Sequence, residues 1–389
     1  MTTTLLSASI PMTLSTADPI INRLSAPFTA LATTPIFSLK SEETEPQSFG
    51  SYYVGETSNF DDHIKQQFER TRRDKILRTD PLASDVLRRQ IIPGKLGLLA
   101  EHEPSLFAKK RPAQVNVHVA MDTKFNHQKF NFNRVSDEET LLTIIDGDNN
   151  THRILVNVSP LMYGHGLLIP HAHKCLPQQL THDAIQLAIN LLRKCIGQTF
   201  CIGFNSLGAF SSVNHQHLHI LYPSELDHEA RGAPLMNGHI NFPISYAPIK
   251  RRVTDSYHDI DCTVDELDWM VPCFSFQAEG DSDLLQAVTK FVKHLHNKRI
   301  PHNVLFIQEP DDAATSIRCI VIPRQHQDHF DNAKWGFNAA LGEISGMLIA
   351  RTKEHFDAFK EHDIMEIMRC HVACKEHVLD DICSELMRR

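Results

Sequence analysis

The amino-acid sequence predicts an α+β protein in which antiparallel sheets pack against helices, arranged as two related halves. Short segments of alternating hydrophobicity predict strands, and a turn rich in Asp, Gly and Asn at 146–150 joins two of them into a hairpin. Apolar residues at helical spacing predict amphipathic helices at 182–195 and 281–296. A pattern of strand, polar turn, strand and proline ends at Pro170 and again at Pro323, which indicates an internal duplication.

The first half is predicted to begin with a helix and to continue as a sheet. Charged residues with apolar positions at helical spacing predict a helix, followed by a looser helical turn, at 60–87. The segment 114–120 alternates most cleanly between apolar and polar residues, as a half-buried strand does. The predicted strands of this half are 97–100, 114–120, 141–145, 154–158, 166–169, 200–204 and 213–221. The helix at 182–195 is expected to pack on them.

The second half is predicted to follow an irregular connector that is rich in Pro, Gly and polar residues. After the helix at 281–296, strands are predicted at 304–307 and 317–322, and an amphipathic helical tail at 363–389. The expected organisation is a disordered tail at 1–50, a histidine-bearing half at 51–222, the connector at 223–262 and a second half without a histidine cluster at 263–389.

Composition narrows the class of protein. The chain has 389 residues, of which 42% are hydrophobic and 22% charged, as in a folded globular protein. A net charge of -8 argues against non-specific binding of DNA or RNA, so any phosphate site must be local. Nine cysteines without a CxxC pair favour a reducing compartment, and no apolar stretch approaches the roughly 20 residues of a membrane span. We therefore expect a cytoplasmic protein that neither binds nucleic acid nor crosses a membrane.

Three histidines at alternate positions, His215, His217 and His219, are the strongest functional signal. On a strand, alternate side chains share one face, so the three imidazoles would meet in one small volume. Imidazole titrates near neutrality and can act as nucleophile, acid, base or metal ligand. A histidine-rich strand with one face in solvent is the alternative without function.

The residues alone leave two kinds of chemistry open. Three imidazoles could bind Zn²⁺ with a fourth position for water, although one strand cannot easily wrap a tetrahedral ion. Alternatively, one imidazole could attack phosphorus and carry a nucleotidyl group, since imidazole needs no strong base to become a nucleophile. The preceding segment 203–214 is rich in small and polar residues, which would allow a phosphate to approach the backbone.

The segment 203–219, Gly-Phe-Asn-Ser-Leu-Gly-Ala-Phe-Ser-Ser-Val-Asn-His-Gln-His-Leu-His, resembles the signature of the histidine-triad superfamily, specifically its GDP-hexose phosphorylase branch. Supporting stretches occur in order at 92–97, 109–112, 129–132, 157–160 with 164–165, and 342–346. The resemblance implies a fold like that of histidine-triad proteins and galactose-1-phosphate uridylyltransferase.

The resemblance also implies roles for individual residues. His217 would be the nucleophile that carries GMP, His215 would orient it, and His219 would face the phosphate and the leaving group. Ser212 resembles a serine on the leaving-group side. The expected substrate-binding residues are Asn205, Gly208, Ser211, Lys109 and Arg111. Turn formation is the alternative reading for Ser212 and Asn205, and solvated surface charge for the basic residues.

The reaction that the resemblance implies converts GDP-hexose and inorganic phosphate into GDP and hexose 1-phosphate, without metal or cofactor. In the resembling families the third histidine position is His in GDP-D-glucose phosphorylases and Gln in plant GDP-L-galactose phosphorylases, so His219 favours GDP-D-glucose. GDP-L-galactose phosphorolysis, nucleotide hydrolysis and non-catalytic nucleotide binding stay as alternatives. The protein is expected to be a monomer or a homodimer.

Overall fold

The structure is a computed structural model that describes residues 36–38, 60–80, 86–109, 115–195, 200–223, 241–309 and 316–388. These residues all belong to one compact unit, Ile36–Arg389. None of its helices is both long and apolar enough to cross a membrane, within the residues described.

The described strands form one large and one small sheet. In chain order they are β1 (Ile36–Ser38), β2 (Arg88–Ile91), β3 (Leu99–His102), β4 (Thr140–Ile145), β5 (Thr151–Val156), β6 (Gly166–Ile169), β7 (Cys201–Asn205), β8 (Leu218–Leu221), β9 (Ile249–Thr254), β10 (Thr263–Leu267), β11 (Phe274–Gln277), β12 (His302–Gln308), β13 (Ile317–Pro323) and β14 (Met347–Ile349). The large sheet has the order β1-β4-β5-β6-β8-β7-β12-β13-β11-β10-β9 and the small sheet the order β14-β3-β2. Within the large sheet, only β1 and β4 pair in parallel among the described strands.

The described α-helices cover both faces of the large sheet. They are α1 (Phe60–Arg73), α2 (Pro104–Lys109), α3 (His182–Lys194), α4 (Asp281–Asn297), α5 (Asn332–Trp335), α6 (Leu341–Ile344), α7 (Lys353–Ala358), α8 (Glu361–His371) and α9 (Glu376–Leu386). One apolar core joins the sheet to α1, α3, α4 and α9, and a second core joins its other face to the small sheet, α7 and α8. The predicted α+β class is confirmed.

The two halves repeat one topology. In the first half, β4, β5 and β6 are followed by α3 and then by β7 and β8, in the spatial order β4-β5-β6-β8-β7. In the second half, β9, β10 and β11 are followed by α4 and then by β12 and β13, in the matching order β9-β10-β11-β13-β12. The halves join where β7 pairs with β12 in antiparallel register. The predicted relation between the halves is therefore confirmed.

The correspondence between individual strands differs from the one that the sequence pattern suggests. The pattern aligned the strands ending at Pro170 with those ending at Pro323, which equates β5 and β6 with β12 and β13. The topology instead equates β7 with β12 and β8 with β13. A hairpin followed by proline is too general a pattern to identify equivalent strands, because any buried antiparallel pair can end in this way.

Strand β12 shows how the sheet separates its two faces. Val304 and Phe306 belong to the core beneath α3 and α4, whereas Leu305 and Ile307 belong to the opposite core. All four are fully buried because both faces are covered, and side chains on a strand alternate between faces. Asn303 is on the same face as Leu305, so it points away from the helices that cover the first core.

Two predicted segments differ from the structure. Residues 115–120 form turns rather than a strand, and Val117 is half exposed. The carbonyls of Val117 and Val119 accept hydrogen bonds from side chains, Gln327 Nε2 and His326 Nε2 respectively, so neighbouring strands do not satisfy them. Of the expected connector at 223–262, residues 224–240 lie outside the described residues, and the described part contains β9, which pairs with β10 at the edge of the sheet.

Other predicted boundaries are shorter or interrupted. The helix predicted from residue 60 ends at Arg73, and the predicted helical tail is divided into α8 and α9. Strand β1 lies inside the expected disordered tail and pairs with β4. The predicted hairpin is present: Asp146 Oδ1 accepts hydrogen bonds from the backbone N–H groups of Asp148 (3.0 Å) and Asn150 (2.7 Å), which closes the turn between β4 and β5.

Candidate active site

His217 is held by its own backbone segment in a defined tautomer. Its Nδ1 lies 2.7 Å from the carbonyl oxygen of His215, which can only accept a hydrogen bond. Nδ1 must therefore carry the proton, and the lone pair is on Nε2. The ring is almost fully buried and lines a pocket. This arrangement presents a neutral nitrogen nucleophile to whatever occupies the pocket.

The backbone around His217 is not the strand that the sequence predicts. Strand β8 begins only at Leu218, because Gln178 takes the place of a neighbouring strand beside His217. Gln178 Oε1 accepts from the N–H of His217 (2.9 Å), and Gln178 Nε2 donates to the carbonyls of His217 (3.0 Å) and Asn205 (2.9 Å). One buried amide thus fixes the backbone of His217.

His215 supports His217 through its backbone rather than through its ring. Its Nδ1 accepts a hydrogen bond from the N–H of Phe132 (3.1 Å), and the ring stacks on that phenylalanine, with 5.7 Å between centroids. The sequence placed all three imidazoles in one volume, whereas only His217 and His219 line the pocket. The carbonyl of His215 contacts Nδ1 of His217, and its ring contacts Phe132 on the pocket wall.

Burial keeps the two buried histidines neutral. Desolvation lowers the pKa of His217 to about 4, although the hydrogen bond to the His215 carbonyl opposes this effect. Desolvation, together with the neighbouring charge of His217, lowers the pKa of His215 to about 4 as well. At neutral pH the Nε2 lone pair of His217 is therefore available in nearly every molecule.

Acid should destabilise the fold through these groups. The pKa of the buried His302 is also lowered to about 4 by desolvation, so three histidines bind protons more weakly in the folded than in the unfolded chain. Their stabilisation is complete above the unfolded pKa of about 6.5 and is lost as the pH falls towards 4. We expect each to reduce the free energy of unfolding by on the order of 2 kcal/mol between pH 7 and pH 5.

Urea denaturation at pH 7, 6 and 5 measures this loss. His302→Gln removes one of these groups and should reduce the loss of unfolding free energy between pH 7 and pH 5 by on the order of 2 kcal/mol. A pH dependence that is the same in this variant and the parent chain would show that His302 is not buried in a neutral form.

His219 is connected to a fourth histidine that the sequence analysis did not include among the site residues. Nδ1 of His165 accepts from the N–H of Leu161 (3.0 Å), so we assign the His165 proton to Nε2. Nε2 donates to Nδ1 of His219 (3.1 Å). Asn157 Nδ2, 3.2 Å from Nε2, is itself a donor, because Asn157 Oδ1 accepts from the N–H of Ser159, and does not accept this proton. Because His165 Nε2 donates to His219 Nδ1, that nitrogen must accept. The proton of the neutral His219 ring is then on Nε2, the atom nearer to Asn205.

Asn205 completes this donor set. Its Oδ1 accepts hydrogen bonds from Asn303 Nδ2 (2.6 Å) and from the N–H of Leu341 (3.1 Å), so its Nδ2 must be the atom 3.3 Å from His219 Nε2. Two N–H donors then lie side by side at the pocket. An oxyanion can accept from both, which is the arrangement that stabilises charge developing on a phosphoryl oxygen.

The pocket lies between the two halves, on the sheet face opposite α3 and α4. The first half contributes the histidines, Asn205, Ser212 and several aromatic rings, and the second contributes Asn338 and residues of α6. Phe107, Phe130, Phe132 and Phe242 offer flat apolar surfaces of the kind on which a purine base packs. Glu139 and Glu343 also line it, and a carboxylate there would repel phosphate but accept hydrogen bonds from a base or a sugar hydroxyl.

The structure separates the remaining predicted residues into different roles. Ser212 lines the pocket, as expected of a residue on the leaving-group side. Ser211 and Gly208, also predicted to bind substrate, are not among the described residues that line the pocket. The Ser211 hydroxyl donates to the Val213 carbonyl (3.1 Å), and Gly208 has a φ of +76° where a side chain would collide with His326. Both residues shape the loop that carries Asn205 and Ser212.

The predicted basic contacts are not on the described pocket wall. Lys109 is exposed at the end of α2, the helix whose Leu106 and Phe107 line the pocket. Arg111 lies outside the described residues. The wall formed by the described residues contains neither lysine nor arginine. Nor do the described residues contain a group of three His, Cys, Asp or Glu side chains placed to hold a metal ion.

Comparison with known proteins identifies relatives along most of the chain. The model of the GDPGP1-like N-terminal domain matches residues 59–221, and that of the C-terminal domain matches residues 243–387. GDP-D-glucose phosphorylase 1 of Danio rerio is 29% identical over 304 residues, covering 75% of this chain and 81% of that protein. GDP-L-galactose phosphorylase 1 of Arabidopsis thaliana is 28% identical over 305 residues, covering 72% of this chain and 63% of that protein.

A solved structure supports the fold. The yeast Ap4A phosphorylase in complex with Ap4A superimposes with a TM-score of 0.53 at 17% sequence identity, covering 82% of this chain and 99% of that one. At this identity the similarity concerns the fold alone.

The two domain models together span both halves of the sheet and nearly all of the described site. On these grounds the chain belongs to the GDPGP1-like family.

Proposed function

We propose that the protein is a GDP-hexose phosphorylase that acts through a covalent GMP adduct of His217. The observation that carries the proposal is the neutral imidazole of His217, whose Nδ1 proton is held by a backbone carbonyl and whose ring lines the pocket. Relatives named as GDP-D-glucose and GDP-L-galactose phosphorylases support the reaction class.

The reaction proceeds in two displacements at the same phosphorus atom. Nε2 of His217 attacks the α-phosphorus of the GDP-hexose, the bond to the bridging oxygen breaks, and hexose 1-phosphate leaves. An oxygen of inorganic phosphate then attacks the GMP group, the P–N bond breaks, and GDP leaves with His217 neutral again. The ring gains positive charge as the P–N bond forms in the first step and loses it as that bond breaks in the second, so the hydrogen bond to the His215 carbonyl is strongest in the adduct and stabilises the partly charged ring in both transition states.

The donors beside His217 fit the charge that this reaction develops. His219 Nε2 and Asn205 Nδ2 are adjacent, and both can donate to a phosphoryl oxygen while phosphorus is five-coordinate. Ser212 on the pocket wall can donate to the departing phosphate. This proposal includes the roles given above to His215, His219, Ser212 and Asn205. It also includes Lys109, which is exposed at the end of α2 and would have to move its side chain to contact a phosphate.

We infer GDP-D-glucose as the preferred substrate, from the histidine at position 219. The two kinds of relative match at nearly equal identity, so overall similarity does not select between the sugars.

The nine cysteines are all free, which supports the cytoplasm as the location.

Incubation of the full chain with GDP-glucose and phosphate tests the proposal. We expect GDP and glucose 1-phosphate in equal amounts. When phosphate is omitted, we expect one glucose 1-phosphate per protein molecule, and GDP-glucose labelled in its GMP part should leave that label on the protein. Formation of GMP at the same rate without phosphate would make the protein a hydrolase. GDP-galactose and GDP-mannose are the comparison substrates, and a panel without any GDP formation would refute the proposed function.

A further inference from the structure

Two asparagines face each other where the halves of the sheet meet. Asn205 ends β7 and Asn303 lies directly opposite it on β12. Asn303 Nδ2 donates to Asn205 Oδ1 at 2.6 Å and to the carbonyl of Ala209 at 3.1 Å. Asn303 is fully buried and Asn205 nearly so. Their contact therefore connects the scaffold half directly to the donor set beside His217.

Groups with only one possible role fix the orientation of both amides. The Ala209 carbonyl can only accept, so Nδ2 of Asn303 must face it. The N–H of Leu341 can only donate, so Oδ1 of Asn205 must face it. An amide flip at either residue would place two donors or two acceptors together. The Nδ2 of Asn205 is thereby directed to His219.

Arg324, the residue after β13, supports this pair from behind. It is 1% exposed, and its Nη1 lies 3.4 Å from Asn303 Oδ1 and also donates to the Ala339 carbonyl. Its guanidinium lies over the ring of Phe210, 5.2 Å from the centroid. In the described part of the chain no carboxylate lies within 4 Å of the guanidinium; its Nε donates to the Gln325 carbonyl (3.1 Å), and the carboxylate that favours its charged form, Glu343, acts from a longer distance. Burial lowers its pKa to about 9, which still leaves it charged at neutral pH.

A buried cation without an ion pair is costly, and stability alone gives no reason to keep one. Arg324 contacts three segments next to the pocket: Phe210 in the loop after β7, Asn303 in β12, and Ala339 in the segment before α6. Both Phe210 and the neighbours of Ala339 line the pocket. The guanidinium thus joins three separate segments around the donors that face a phosphoryl oxygen.

We propose that Arg324 and Asn303 are positioning residues of the active site, which orient the Asn205 carboxamide towards the phosphoryl oxygen. This inference rests on the proposed phosphorylase function. The scaffold half then does more than cover the pocket. It sets the direction of the Asn205 amide, although Asn205 belongs to the histidine-bearing half. We therefore expect the histidine-bearing half to be inactive on its own.

Asn303→Asp tests the first link with little change of shape. Aspartate keeps an acceptor for Arg324 and provides it with an ion pair, but it replaces the donor to Asn205 Oδ1 with an oxygen. The Asn205 amide must then flip or move, and the donor near His219 is lost. We expect kcat for phosphorolysis, expressed per folded molecule, to fall by about 10- to 100-fold with KM changed less than about threefold, and the thermal midpoint to fall as well, because the new oxygen faces two acceptors, Asn205 Oδ1 and the Ala209 carbonyl.

A double-mutant cycle distinguishes positioning from a merely structural effect. If Asn303 acts through Asn205, the Asn303→Asp change should have almost no further effect on kcat in the Asn205→Ala background. Arg324→Lys keeps a buried cation but loses the planar fork, and its effect on kcat should likewise disappear in that background. Equal effects of Asn303→Asp with and without Asn205→Ala would overturn the proposal.

Gln308→Glu is the matched control on the same strand. Gln308 is buried, and its Nε2 donates to the carbonyls of Leu192 (2.7 Å) and Cys195 (3.1 Å), remote from the pocket. This variant should lower the thermal midpoint while kcat per folded molecule stays at the parent value. Unchanged kcat in Asn303→Asp, with the parent chain active, refutes the positioning role alone. An inactive parent chain refutes the phosphorylase function instead.

Discussion

Replacement of His217 with glutamine is expected to lower kcat for GDP-hexose phosphorolysis by a factor of about 10⁴ or more. Glutamine has nearly the volume of histidine and can still donate to the His215 carbonyl, so the pocket wall should keep its shape. It has no nitrogen lone pair with which to attack phosphorus, because the amide nitrogen is delocalised into its carbonyl. The covalent GMP adduct should disappear together with the turnover.

His302→Gln is a closely matched control for this change. His302 is also fully buried with a pKa of about 4, and its Nδ1 lies 3.0 Å from the carbonyl of Ile300, two residues earlier, just as in His217. Its ring lies 6.1 Å from Phe204 on the helix-facing side of the sheet and does not line the pocket. Steady-state kinetics should therefore show parent activity. Labelled GMP on the His217→Gln protein would place the nucleophile elsewhere.

The fold was largely predictable because its elements carry local signals. Strands such as β12 and β13 are continuous apolar runs covered on both faces, and α3 and α4 show clear helical periodicity. The segment at 115–120 has a strand-like alternation but forms turns, since its carbonyls are satisfied by distant side chains of 326–327. Contacts between residues some 200 positions apart leave no trace in a local pattern.

The site was predictable to the extent that its residues lie within one short segment. His217, His219, Asn205 and Ser212 all belong to 203–219, and all four line the pocket. The partners that fix them come from elsewhere: Gln178 for His217, His165 for His219 and Asn303 for Asn205. A histidine five residues before Pro170 was visible in the sequence, but nothing local indicates that its ring meets His219.

The duplication explains how such distant partners come together. Strands β7 and β12 occupy the same place in their halves, and their antiparallel pairing places the end of one beside the start of the other. The equivalent strands β8 and β13 differ in their flanking residues. Strand β8 follows a histidine segment, whereas β13 ends in proline and is followed by the buried Arg324. One half presents His217, and the other supplies the buried polar groups Asn303 and Arg324 next to Asn205.

His219 should separate charge stabilisation from water activation. His219→Leu removes the Nε2 donor next to Asn205 and leaves the Nε2 proton of His165 without its acceptor, so we expect kcat for phosphorolysis to fall by about 10²- to 10³-fold. His219→Gln replaces the donor with an amide N–H of similar reach and should retain activity within about tenfold. The two substitutions differ mainly in whether a donor faces the phosphoryl oxygen.

The same pair of variants tests the hydrolytic alternative. An imidazole at position 219 can take a proton from water that attacks the GMP–His217 adduct only in its other tautomer, with the proton on Nδ1 and the lone pair on Nε2, whereas a glutamine amide has no such form. The rate of phosphorolysis divided by the rate of GMP release without phosphate should therefore rise in His219→Gln. Single-turnover decay of the labelled adduct, followed with water and with phosphate, measures both rates. A fall in this ratio would mean that His219 assists phosphate rather than water, and its role would then lie in the attack that forms GDP.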